Sequence, residues 1–144
     1  MSRKGAPLLL ASLLLLGGCA DIEPGPITEP PLYPDRTSAE AVFHSFLWAW
    51  RNGDIPALKQ CLGGGLADTL KKQLRVNGPE KTAAFYRDEQ LEILDVDWVD
   101  RRTTLARVRL VLRGSKIERK EVIFYCVRRR VEDWTISGKK VIPR

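Results

Sequence analysis

The residues of this chain with chemistry to offer are three cysteines, one histidine, a run of alternating carboxylates and arginines, and a glycine triplet. Cys61 and Cys126 each sit in an apolar run, Leu58-Lys59-Gln60-Cys61-Leu62 and Phe124-Tyr125-Cys126-Val127. In an oxidising compartment two such thiols are a candidate disulfide; packed apart, they are two buried free cysteines. Two thiols and one imidazole are too few ligands for a metal, so no metal site and no cofactor are expected. His44 shares a helical side with Trp48 and Arg51, opposite Phe43, Phe46 and Trp50, which puts it at a helix boundary and not at a reactive centre. Asp95 and Asp97 offer a carboxylate pair for general acid or base work, which needs burial to move a pKa toward the working pH. Arg107 and Arg109 alternate to match them, so an ion-paired, solvated face is the expected outcome. Gly63-Gly64-Gly65 lacks the lysine and hydroxyl residue of a phosphate-binding loop and reads as a flexible connector. No Gly-x-Ser-x-Gly, His-Glu-x-x-His or Cys-x-x-Cys motif supports hydrolase or metal chemistry. Arg107, Arg109, Arg128 and Arg130 are the candidates for an anion-binding surface, although strand alternation sends Arg129 to the opposite face from its two neighbours.

Cys19 differs from the other two because of what precedes it. Arg3 and Lys4 form a basic head, Ala6 to Leu16 an apolar core, and Leu16-Gly17-Gly18-Cys19 a small-residue stop, the order of a secretory signal over residues 1–18. The core is about half the roughly 20 residues that a spanning helix needs. Leu16-Gly17-Gly18-Cys19 resembles the bacterial lipobox. That resemblance implies cleavage before Cys19, acylation of its sulfur by palmitate or a similar chain, and N-acylation in many lineages. Two or more acyl chains hold a protein on a membrane where one does not. Ala20 in the next position is similar to the pattern that enteric bacteria send to an outer membrane. The implied location is the extracytoplasmic cell envelope, on the outer membrane where there is one. The implied partner is the membrane, through acylated Cys19, and nucleic acid is not one.

Residues 19–36 then form the lipidated cysteine and a stalk. Pro24, Pro26, Pro30, Pro31 and Pro34 are interspersed with Asp21, Glu23, Glu29 and Asp35, a composition expected to remain unfolded and extended with a reach of roughly 50 Å. Residues 37–144 are enough for one domain. The whole chain carries a formal charge of +6; setting aside Arg3, Lys4, Arg36 and the four stalk acids leaves this domain near +7. Such a surface favours an anionic envelope component or an acidic protein partner.

Four short helices are expected first. Ser38 or Thr37 caps a helix with Val42, Phe43, Phe46, Leu47 and Trp50 on its apolar stripe, ended by Asn52-Gly53. Asp54 caps a second helix with Pro56 in its first turn. Leu66, Leu70 and Leu74 mark a third helix, closed by Asn77-Gly78, and Pro79 opens a fourth through Phe85. From Gln90 the period changes to two, and a hairpin turning through Arg101 to Thr103 pairs Val96 with Val108, Asp97 with Arg107 and Asp95 with Arg109. Val122 to Val127 is apolar on both faces, as a strand covered on both sides is. Trp134-Thr135-Ile136 and Val141-Ile142 close the sheet.

Helices followed by antiparallel strands define an α+β fold. Ala39-Glu40-Ala41-Val42 leading to Phe46-Leu47-Trp48-Ala49-Trp50-Arg51-Asn52-Gly53-Asp54, with the late Glu132-Asp133-Trp134-Thr135-Ile136-Ser137, resembles the nuclear-transport-factor-like superfamily. Its members include ketosteroid isomerase and many bacterial lipoproteins. The resemblance implies a cone, with N-terminal helices packed in the concave face of a curved antiparallel sheet. Two functions follow from it. One is a noncatalytic binding or interaction module on the envelope. The alternative is a small isomerase or dehydratase-type enzyme, with a carboxylate or His44 inside the cone. Trp48, Trp50 and Trp98 suit core packing as well as a ligand pocket, so the content of the cone separates the two.

Overall fold

The computed structural model describes residues 25–143, so the leader and Cys19 lie outside the described residues. Helix α1, Ala39–Asn52, starts where the Ser38 hydroxyl accepts from the Ala41 amide, and it stops at Gly53, whose left-handed φ of 63° lets its N–H reach back to Ala49 and Trp50 carbonyls. Helix α2, Ile55–Cys61, is capped by the Asp54 carboxylate on the Ala57 amide, with Pro56 in the first turn.

Helix α3, Gly64–Arg87, joins the expected third and fourth helices into one element kinked at Gly78, whose φ of 82° and ψ of 167° no other residue adopts without strain. The kink is a reversal. Tyr86 Oη donates to Gln73 Oε1 at 2.8 Å, and Thr82 Oγ1 donates to the Gln73 carbonyl at 3.3 Å. In a straight helix Gln73 and Tyr86 stand about 20 Å apart, so these bonds fold the second arm back on the first.

Strands β1 (Glu92–Arg101), β2 (Leu105–Arg113), β3 (Lys120–Arg130) and β4 (Asp133–Ile142) form one antiparallel sheet in sequential order, curved around the helices. The α+β architecture is therefore as expected, with helices preceding the sheet. The hairpin register is not. Val96 pairs with Leu110, Asp97 with Arg109, Asp95 with Val111 and Asp100 with Arg107. The offset is one residue at Ile93, two from Asp95 to Trp98 and three from Asp100 onward, stepping at bulges between Ile93 and Asp95 and between Trp98 and Asp100. Between the bulges the slip is even and leaves Val96, Asp97 and Trp98 on their expected faces, which is why the hydrophobic pattern alone does not expose it, whereas before the first bulge Ile93 and not Leu94 is buried against the core.

Phe43, Phe46, Leu47 and Leu58 from the helices meet Val108, Leu110, Phe124 and Ile136 from the sheet, all nearly or fully buried. Phe124 stacks at 5.9 Å from Phe43 and 5.3 Å from Phe46, and Trp98 closes on Phe43 edge-on at 5.8 Å. Each such side chain contributes roughly 1.5–3 kcal/mol by burial. On the face of β3 turned away from the helices, Ile123, Tyr125 and Val127 are half-buried and no described element covers them, so this strand is covered on one side only.

Two expectations about connecting segments need correction. Residues 25–36 do not stand free as a stalk. Gly25 bridges Ile93 on β1, Ile27 and Tyr33 pack on the core, and Pro30 is buried. Tyr33 Oη donates to Asp54 Oδ2 at 2.8 Å while its ring meets Trp48 edge-on, and the Asp35 amide donates to Ser45 Oγ. Three apolar anchors spaced among the prolines are enough to hold a strap whose composition otherwise reads as unfolded. The glycine triplet is not a flexible connector either. Leu62 bridges Ile136 in parallel, Gly63 N donates to the Ile136 carbonyl at 2.9 Å, and a Cβ on Gly63 would stand 2.7 Å from Thr135 Oγ1. Glycine is there because the Thr135 side chain occupies the place of its Cβ.

Candidate functional site

Between α1, the folded-back α3 and the concave face of the sheet the cone keeps a cavity of about 340 Å³, in the size range of small-molecule sites. Phe46 and Trp50 from α1, Leu66 and Tyr86 from α3, and Val122 and Phe124 from β3 supply apolar walls. Phe85, Ile117, Val141, Lys120 and Lys139 line it as well, and of these all but Ile117 are exposed, so they form its rim. No carboxylate and no imidazole are among its described lining residues.

Polar groups in the wall are few and mostly occupied. Tyr86 holds Gln73, and burial pushes its phenol above the ordinary value, so it remains a neutral donor. Trp50 is the exception: its indole Nε1 is buried and has no hydrogen-bond partner among the described residues. A buried donor without a partner costs about 1–3 kcal/mol.

Glu89 sets the shape of the rim. It is 3% exposed, and its Oε1 accepts from the amides of Lys116 and Ile117, both at 2.9 Å, which pins the β2–β3 loop to the end of α3. A Cβ on Gly114 would collide with that carboxylate, so the loop requires glycine there. An isolated Glu in a polar stretch gives no sequence signal for such a clamp, and it went unanticipated. The cavity likewise depends on the angle of the Gly78 kink, which no residue pattern expresses.

The residues singled out in the sequence lie elsewhere. His44 Nε2 is 3.0 Å from the Thr28 carbonyl, on the outside of α1, where it fastens the strap. Asp95 and Asp97 are on the exposed convex face and not in the cone. Arg109 bridges Asp95 at 3.0 Å and Glu121 at 3.2 Å, Arg107 reaches Asp100 at 3.6 Å, and Arg113 grips Glu92 through two hydrogen bonds. The four candidate anion-binding arginines do not form one patch. Arg107 and Arg109 lie opposite Tyr125 and Ile123 on the convex face, whereas Arg128 follows Cys126 by two residues on the other face, its Nε donating to the Arg130 carbonyl. Cys61 and Cys126 are both free and fully buried, so the bond that two thiols permit is not formed; burial pushes both up to about 12.

Among the described residues, no three His, Cys, Asp or Glu side chains converge, and no helix is long and apolar enough to cross a membrane. Set against known protein families and curated proteins, the sequence matches none.

Proposed function

We propose that this chain is an acylated cell-envelope protein, held to the membrane through Cys19, whose nuclear-transport-factor-like cone is a noncatalytic binding module for a small apolar or amphipathic ligand. The observation that carries this reading is the cavity itself: mainly apolar walls, with no carboxylate and no imidazole among its described lining residues. Burial of apolar ligand surface drives binding in such a site. Its described lining lacks the carboxylate and imidazole of the isomerase arrangement that the superfamily resemblance also allows.

The test uses the chain from Ala20 to Arg144, which includes every described residue and hence the whole core. Uptake of a hydrophobic naphthylamine dye is measured by fluorescence, beside a Leu66→Trp variant that fills the cavity. The expected result is saturable uptake, weakened at least about tenfold in the variant with little change in melting temperature, a larger indole in place of about 1.4 kcal/mol of dye contact. Equal uptake by both proteins places the dye elsewhere and removes the binding-module reading. Anchoring is read separately: Cys19→Ser abolishes incorporation of a fatty-acid analogue and retention on membranes after a high-salt wash.

A further inference from the structure

We propose that the open end of the cone is a membrane-docking face, built to lie on an anionic phospholipid surface. Four strand positions define that end. Ile93 is the second residue of β1, Leu112 the penultimate of β2, Lys120 the first of β3 and Val141 the penultimate of β4. The cavity mouth is here, and so is the point where the strap leaves the described part of the domain, because Gly25 bridges Ile93. With strands about 4.8 Å apart, Gly25 stands about 15 Å from Lys120. Six chain steps separate Gly25 from Cys19, a span of at most about 20 Å, so an anchor on Cys19 pulls this end toward the bilayer. That step rests on the acylation proposed above; the chemistry of the face does not.

The face combines the two features of an interfacial surface. Phe85 is 55% exposed and Val141 47%, both large apolar side chains held beside half-buried Ile117. Lys120 and Lys139 share the rim with them and Lys116 precedes Ile117 in the loop, and none of the three makes an ion pair among the described residues. Of the nearby acids, Glu121 is held by Arg109, Glu89 is buried under the loop, Asp88 is exposed but lies 3.8 Å from Arg87, and Glu118 stands exposed beside the lysines. The convex face offers the opposite case: its arginines are neutralised by Asp95, Asp100, Glu92 and Glu121. Anionic surfaces attract free basic side chains one by one, and the apolar residues enter the headgroup layer beside them.

The experiment again takes unacylated Ala20–Arg144, so it is independent of the anchor, and measures co-sedimentation with vesicles of phosphatidylcholine alone or mixed with phosphatidylglycerol. The expected result is binding only to the mixed vesicles, weakened by salt, and reduced at least about tenfold in Lys120→Glu/Lys139→Glu. Phe85→Ser weakens it too, whereas Arg107→Ala/Arg109→Ala leaves it unchanged, and circular dichroism melts confirm that each variant is folded. Equal binding to both vesicle types, no binding to either, or loss in the arginine variant with retention in the lysine variant overturns the proposal. Dye uptake by the unaltered protein, measured beside the vesicle assay, separates this outcome from failure of the cavity reading.

Discussion

A thiol reacts as its anion, and hydrocarbon surroundings are the least hospitable place to form one. Cys61 ends α2 and Cys126 lies mid-strand in β3, both fully buried and both pushed by burial up to about 12. At pH 8 such a thiol is ionised about one part in ten thousand. The expected outcome is that Ala20–Arg144, which carries only these two cysteines, takes up no iodoacetamide in its native state at pH 8 and two equivalents once unfolded. Mass spectrometry of the alkylated protein checks it. Prompt native labelling of either thiol would mean that the helix-sheet contact around it opens. Burial acts on Trp50 as well: its ring lines the cavity while its indole Nε1 is enclosed and has no hydrogen-bond partner among the described residues.

At the scale of elements, the kink in α3 is what makes the cone hollow, because it carries Phe85 and Tyr86 back over the sheet. Gly78 has no neighbour that a Cβ would strike, so Gly78→Ala tests backbone conformation alone. The expected cost is about 1–3 kcal/mol in denaturant melts, with dye uptake lost as the second arm of α3 loosens. A cost near zero would show that the reversal tolerates an ordinary φ. Much of this architecture was legible in advance: both caps of α1, the Asp54 cap, the break at Asn77-Gly78 and the switch from helical to alternating period all stand where local chemistry puts them. The site was not. Its residues come from α1, α3 and three strands, and what assembles them is tertiary contact: the Gln73 bridge, the Glu89 clamp and the Gly63 approach to Thr135. The strap hid for a related reason. Ile27, Pro30 and Tyr33 are too sparse to read as a core run, yet each finds a partner on a domain that already exists.

Across the whole molecule, charge is arranged by compensation on one surface and by its lack on another. On the convex face Glu92 is held below the usual carboxylate range by hydrogen bonds from Arg113, and Glu121 by the hydrogen bond from Arg109, whose own guanidinium is raised in turn. A carboxyl that is more acidic folded than unfolded stabilises the fold at pH above its unfolded value, here 4.5, and loses that contribution as the pH falls through the lowered one. Protonation also adds positive charge to a chain that already carries a formal +6, so self-repulsion acts in the same direction. Thermal stability is therefore expected to change little from neutral pH down to about pH 5 and to fall below it. The Arg109→Gln variant supplies the decisive comparison: it melts lower than the wild type at neutral pH, and the two curves converge in acid as Glu121 loses the charge that Arg109 holds. Because these pairs are exposed, the gap at neutral pH also narrows in high salt. A gap that stays constant from neutral pH to acid would mean that Arg109 stabilises the sheet through the packing of its stem on Ile123 and not through its charge.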